Sequence, residues 1–277
     1  MRVEVARYAG VCYGVERALK LAEEAAESGR EIHTLGPLIH NPQAVAALRE
    51  QGVEVASTLD EAETGTLVIR SHGVEPAIIE AALAKGLDVI DATCPHVSKA
   101  HQAAEELYRG GYAVVIVGEA DHPEVEGIMA HAGGQAIVIS SARDLPDRLP
   151  SRRVGVVVQT TQSLSRLKDV VAAILPRASE VRVFNTICSA TEKRQQSAAE
   201  LAEDVDVVVV VGGHNSGNTT RLAEICSAVN AQVHHVETAD ELDPAWFSGA
   251  QAVGVTAGAS TPDEQMQGVI RAIEAME

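Results

Sequence analysis

Three cysteines carry the same downstream pattern. Cys12, Cys94 and Cys188 are each followed after 24 residues by a glycine (Gly36, Gly118, Gly212) and after 28 by a polar residue (His40, His122, Ser216). An interval kept in three copies marks one supersecondary unit used three times. Each cysteine opens a stretch with helical apolar spacing, as in Val15, Ala18, Leu19, Ala22 and Ala26. Each stretch gives way to a short apolar run that stops at the glycine: Ile32–Leu35, Ala113–Val117 and Val207–Val211. Alternating units of this kind build parallel sheets, whose loops past the strand C-termini gather on one side, where ligand chemistry collects. The spacing therefore predicts a thiol and a hydrogen-bonding group on that side in every copy.

A second half follows in each copy. Strands are predicted at Thr66–Ile69, Val154–Val158 and Ala252–Val255, leading to Ser71-His72-Gly73, Gln159-Thr160-Thr161 and Thr256-Ala257-Gly258-Ala259-Ser260. A helix comes next each time. In the first two copies a closing strand, Leu87–Ile90 or Val181–Phe184, then leads to the next cysteine. The third copy ends in a helix from Pro262 to Met276, and the N-terminal run Val3–Ala6 has the shape of its missing strand. The expected architecture is α/β: three similar small domains in a pseudo-threefold arrangement, with segment 1–13 completing the third domain. The others run 14–94, 95–188 and 189–277.

Composition fits that layering. Apolar residues make up 46% of the chain but aromatics only 3%, so Ala, Val, Leu and Ile must fill the core. A net charge of −17 argues against nucleic acid and anionic membrane surfaces as main partners, since both need a basic face. The first residues include Arg2, Glu4 and Arg7 and lack an apolar signal region, and no apolar run is long enough to span a bilayer. A cytoplasmic setting is expected. There, structural disulfides are rare, and cysteines are buried residues, metal ligands or catalytic thiols.

Zinc sites usually show closely spaced cysteine pairs, and none is present. Iron–sulfur clusters tolerate wide spacing if the fold gathers the thiolates, and three thiolates on a four-iron cluster leave one iron without a protein ligand. Such an iron can act as a Lewis acid while the cluster passes electrons. Burial as small hydrophobes is the alternative for the three cysteines. Cys226 lies in a predicted helix, Asn218 to Val229, with no counterpart in the other copies, and reads as a core thiol. Five residues after each repeated cysteine stands a base, Arg17, Lys99 or Lys193. A base in a first helical turn opposes the macrodipole, so either an anionic neighbour or plain solvation accounts for it.

The predicted rim loops hold His40-Asn41, His72-Gly73, His122-Pro123-Glu124, Asn215-Ser216-Gly217-Asn218 and Ser260. Neutral donors and helix N-termini can cradle an anion without Lys or Arg. Glu124 is the carboxylate of this set beside a rim histidine and is the candidate proton donor. Neither a G-x-G-x-x-G pattern nor a P-loop supports ordinary nucleotide binding.

Together these motifs resemble the LytB/IspH family of 4-hydroxy-3-methylbut-2-enyl diphosphate reductases. The resemblance rests on Gly10-Val11-Cys12-Tyr13-Gly14-Val15-Glu16-Arg17-Ala18, Arg70-Ser71-His72-Gly73, Asp91-Ala92-Thr93-Cys94-Pro95, His122-Pro123-Glu124-Val125, Thr186-Ile187-Cys188-Ser189-Ala190-Thr191 and the rim motifs above. It implies a [4Fe–4S] cluster on Cys12, Cys94 and Cys188 in a central cavity, with one open iron for the substrate hydroxyl. Two electrons and two protons then expel water, giving isopentenyl and dimethylallyl diphosphate in the last step of the non-mevalonate isoprenoid pathway. It places His40, His72, Ser216, Gly217, Asn218 and Ser260 around the diphosphate. His122, Glu124 and Thr160 fall near the reacting end, Glu124 delivering protons. A small ferredoxin or flavodoxin is the implied electron donor. Val11 stands where many members have Phe, and Gly217 where many have a second Ser. The competing readings are a cluster-bearing redox sensor without turnover and a different three-cysteine dehydratase. A sensor needs no anion cradle, which disfavours the first.

Overall fold

The computed structural model describes residues 1–276. In chain order the strands are β1 (Arg2–Val5), β2 (Ile32–Leu35), β3 (Val53–Ala56), β4 (Thr66–Ile69), β5 (Asp88–Asp91), β6 (Ala113–Val117), β7 (Ile137–Ile139), β8 (Arg153–Val158), β9 (Glu180–Phe184), β10 (Val207–Val211), β11 (Val233–Val236) and β12 (Ala252–Ala257). The helices are α1 (Tyr13–Ala26), α2 (Pro42–Glu50), α3 (Pro76–Ala84), α4 (Pro95–Arg109), α5 (Pro123–His131), α6 (Leu164–Ile174), α7 (Ser189–Asp204), α8 (Gly217–Ser227) and α9 (Asp263–Glu274).

The strands form three four-stranded sheets in the orders β3-β2-β4-β5, β7-β6-β8-β9 and β11-β10-β12-β1. Every pairing in them is parallel. The three orders are one order repeated, and in the third sheet the last place is taken by β1, which runs Arg2 beside Ala252 to Val5 beside Val255. The repeated α/β units expected from the cysteine intervals are thus present. Each sheet also has an edge strand, β3, β7 or β11, that the sequence reading did not include.

Two compact units make up the chain. One comprises residues 1–16, 39–46 and 189 onward and contains the sheet with β10 and β12. The other comprises residues 17–38 and 47–188 and contains the remaining two sheets. In the first unit, Val207, Val209 and Val211 pack with Val253, Val255, Met266 and Val269 on one face of the sheet. Val208 and Val210 pack with Ala198, Leu201, Leu222 and Cys226 on the other. A strand buried on both faces has no polar alternation, which is why β10 reads as an unbroken valine run. The second unit repeats this around β6, with Val115 and Val117 facing Leu167 and Val170 of α6, and Val114 and Ile116 facing Ala104 and Leu107 of α4. Among the described residues no helix is long and apolar enough to cross a membrane.

Candidate active site

Each repeated cysteine sits on the loop that leaves a strand, immediately before a helix. Its backbone N–H is tied to a carbonyl on the neighbouring central strand's outgoing loop. Cys12 donates to Ala259 O, Cys94 to Ser71 O and Cys188 to Thr160 O, each at 3.0 Å. Each accepting residue stands two positions past the end of its strand, β12, β4 or β8. The parallel register therefore couples every cysteine to one site loop: Cys12 to the residue before Ser260, Cys94 to the residue before His72, and Cys188 to Thr160 itself. All three are half-buried thiols. Cys226 differs: it is fully buried, its Sγ donates to Ala198 O, and burial pushes its thiol up to about 11, as for an inert core residue.

The loops entering Cys94 and Cys188 share a further device. Asp91 Oδ1 accepts the Thr93 N–H at 2.9 Å, and Asn185 Oδ1 accepts the Ile187 N–H at 3.2 Å. An Asp or Asn three residues ahead of a cysteine makes an Asx turn that points the chain into the next helix. The corresponding residue before Cys12 is Ala9, and there the turn falls to Gly10, whose φ of +81° suits glycine.

The second unit holds the proton-bearing groups. His122 caps α5, its Nδ1 accepting the Glu124 N–H at 3.1 Å. The neutral His122 ring therefore carries its proton on Nε2. Its ring meets His72 edge-on, with centroids 5.4 Å apart. Glu124 is 2% exposed. The Thr160 N–H donates to its Oε1 at 2.6 Å and the Thr160 hydroxyl to its Oε2 at 2.9 Å. Burial pushes the Glu124 carboxyl up to about 7, with the two Thr160 hydrogen bonds pulling against that and the Glu119 charge adding to it. Thr160 thus joins the acid to the Cys188 loop through opposite ends of one residue.

Behind this set, the His101 ring of α4 lies against Gly73 and Gly127, where a Cβ would come within 2.6 and 2.8 Å of it. Burial brings His101 down to about 4, aided by the stacked His131 ring and opposed by Asp91. It is a neutral spacer between the His72 loop and α5.

The first unit holds neutral donors. Ser216 caps α8, its Oγ accepting the Thr219 N–H at 3.3 Å, so its own proton remains to be donated. Gly217 is the first helical residue, where backbone N–H groups have no intrahelical partner. The Asn218 side-chain Nδ2 is buried and makes no hydrogen bond. Thr219 is fully buried, and a Cβ on Gly212 or Gly258 would come within 2.7 or 2.2 Å of its Oγ1, so the floor under α8 closes only with glycine there. Ser260 Oγ donates to His40 O at 3.0 Å. Asn41 Oδ1 caps α2 through the Ala44 N–H, and its Nδ2 donates to Gln265 Oε1. The equal 28-residue interval therefore does not assign one job: His122 and Ser216 are caps, whereas in the first copy the cap is Asn41, one residue later.

The expected site residues divide between the units. Cys12, His40, Ser216, Gly217, Asn218 and Ser260 lie in the first, and Cys94, Cys188, His72, His122, Glu124 and Thr160 in the second. The sequence reading did not include Thr219, Gln265, His101, Asn185 or Arg194, and it included Asp91 only within a family motif. Of these, only the Asp or Asn three residues before a cysteine left a repeated signal.

The LytB protein family model matches residues 3–274. A 4-hydroxy-3-methylbut-2-enyl diphosphate reductase from Pelobacter propionicus is 52% identical over 262 residues, covering 95% of this chain and 94% of that one. A solved structure of (E)-4-hydroxy-3-methyl-but-2-enyl diphosphate reductase, the terminal enzyme of the non-mevalonate pathway, is 47% identical, with a TM-score of 0.73 over 99% of this chain and 100% of that one. That of E-1-hydroxy-2-methyl-but-2-enyl-4-diphosphate reductase from Plasmodium falciparum is 25% identical, with a TM-score of 0.92 over 98% of this chain and 87% of that one.

Proposed function

The chain belongs to the LytB protein family, and on that premise we propose that it is an iron–sulfur oxidoreductase that removes the allylic hydroxyl of 4-hydroxy-3-methylbut-2-enyl diphosphate. The reaction takes up two electrons and two protons, replaces a C–O bond by C–H and releases water. One observation carries the reading: Cys12, Cys94 and Cys188 share one backbone setting, each N–H bonded to the carbonyl two residues past a central strand. Three half-buried thiols ahead of helix starts are the right donors for a [4Fe–4S] cluster with one open iron. When bound, that cluster supplies the electrons and a Lewis-acidic site for the hydroxyl.

The remaining work falls to the chain's own side chains. Glu124, poised near neutrality, gives its proton to the departing hydroxyl. Thr160 then stabilises the carboxylate left behind, because its N–H and O–H already point at both oxygens. His122, at the same helix start as Glu124, and His72, whose ring meets it edge-on, orient the hydroxyl end. Ser216, the Gly217 N–H, Asn218, His40 and Ser260 take the diphosphate. Binding there satisfies the buried Asn218 amide and supplies remote binding energy that orients the reacting end. A small ferredoxin or flavodoxin in the cytoplasm serves as electron donor.

The test is direct. Anaerobically purified protein should be brown, carry about four irons per chain and consume the hydroxylated diphosphate with a reduced viologen dye. Replacing any of the three cysteines by serine should remove iron and turnover together, whereas Cys226→Ala should spare both. A colourless, iron-free, active preparation would end this reading.

A further inference from the structure

The bases that follow the cysteines have partners that the proposed reaction does not use. Arg17 stands on α1, five residues after Cys12, but it donates to Thr93 O and Asp91 O at 3.2 Å each, on the loop that enters Cys94. Arg194 stands on α7, six residues after Cys188, but its Nη2 donates to Gly10 O at 2.6 Å, on the loop that enters Cys12. Its Nη1 reaches Ala190 O, and the residue is only 4% exposed. From this we infer that Arg17 and Arg194 are positioning residues, each holding the loop that leaves the last strand of its own α/β unit and so fixing the thiol of a cysteine other than the one that precedes its own helix.

The physical case rests on what a guanidinium does to a peptide. It offers a rigid fork of donors and never loses its charge. Arg17 grips both ends of the Asx turn at Asp91–Thr93, and Arg194 grips the peptide at the left-handed Gly10. Fixing a carbonyl fixes its peptide plane, and so the backbone angles that lead into the cysteine one or two residues later. Burying the Arg194 charge is costly unless that geometry is held, which weighs against an incidental contact. The third loop is built otherwise. Lys99 is exposed, and the Cys188 loop is held by Thr186, which bonds both the N–H and the carbonyl of Val158. Lys193 lies over the Tyr8 ring instead. The link from these loops to a cluster rests on the family reading above, whereas the link from arginine to loop does not.

Hydrogen exchange on the full-length anaerobic protein separates the possibilities. Arg17→Gln should speed amide exchange over residues 91–94 about tenfold and leave 10–12 unchanged. Arg194→Lys, which keeps the charge but loses the fork, should speed 10–12 and leave 185–188 unchanged. Both variants should also lose iron to a chelator about tenfold faster. The inference is overturned if each variant loosens only the start of its own helix, if exchange also rises around the buried Cys226, or if iron loss is unaltered. Failure of the cluster reading would appear differently, as iron-free wild-type protein with the crossed exchange pattern intact.

Discussion

Helices α5 and α8 both begin at a capped N-terminus beside a central strand, yet they are furnished in opposite ways. At α8 the groups are neutral donors, and the Asn218 amide is buried with nothing to bond. At α5 the carboxyl of Glu124 has each oxygen engaged by Thr160. A buried donor left unpaired costs about 1–3 kcal/mol until an acceptor arrives. A fully engaged acid needs no ligand to hold its place, and its protonation is set by burial. Under the proposed function the difference separates binding from chemistry: one helix start keeps a buried donor for an anion to satisfy, the other holds an acid already engaged by its own partner.

Three measurements bear on that contrast. The largest effect is expected at the complete end. Glu124→Gln keeps the shape and the bond from the Thr160 N–H, with the Thr160 hydroxyl turned to accept from the amide, but has no acidic proton to give, so kcat should fall about 10²–10⁴-fold with KM little changed. In the parent, kcat should decline as pH rises through about 7, since the acid form does the work. Steady-state assays with a reduced viologen dye read both. Near-normal turnover of the variant would erase the contrast.

The second effect is on stability. The native Glu124 holds its proton more tightly than the unfolded chain, from the ordinary 4.5 up to about 7. Its contribution is full below pH 4.5 and is lost as pH rises through 7, by about 3 kcal/mol in all. His101 runs the other way. Brought down to about 4, its contribution is full above its ordinary 6.5 and is lost as pH falls toward 4. Urea unfolding from pH 4 to 8 should show the two slopes opposing, and Glu124→Gln should keep only the histidine slope. A variant whose stability parallels the parent at every pH would mean that the carboxyl is not poised by burial. The smallest effect belongs to the incomplete end: Asn218→Ala should raise KM about tenfold, leave kcat nearly intact and not lower the stability of the ligand-free protein. A fall in kcat at unchanged KM would show that the two helix starts do not divide the work.

Much of this frame was legible before any coordinates. The runs Ile32–Leu35, Thr66–Ile69, Ala113–Val117 and Val207–Val211 match strands to the residue, because a central parallel strand is apolar on both faces. Two of the edge strands, β3 and β11, escaped notice for the converse reason, and β7 is only three residues long. Val53-Glu54-Val55-Ala56 and Val233-His234-His235-Val236 are four residues long, carry polar side chains and are only partly covered. At the site, spacing marked the three cysteines, but it also suggested equivalent roles for His40, His122 and Ser216, which the caps do not share. A base after each cysteine stood out, yet a sequence interval does not say which carbonyl a long side chain reaches. It drew attention to Lys193, whereas the neighbouring Arg194 is the one turned inward. The hold of Thr160 on Glu124 joins residues 36 positions apart and depends on the register of β6 beside β8.

The pairing of β1 with β12 has a consequence for biosynthesis. Ribosomes add about 5–20 residues per second, so the first strand emerges some tens of seconds before the strand it lies against. Cys12, whose amide needs Ala259, shares that delay. The cysteine translated earliest is thus the last of the three to acquire its backbone partner, and the three come to share one backbone setting only after Ala259 has been made.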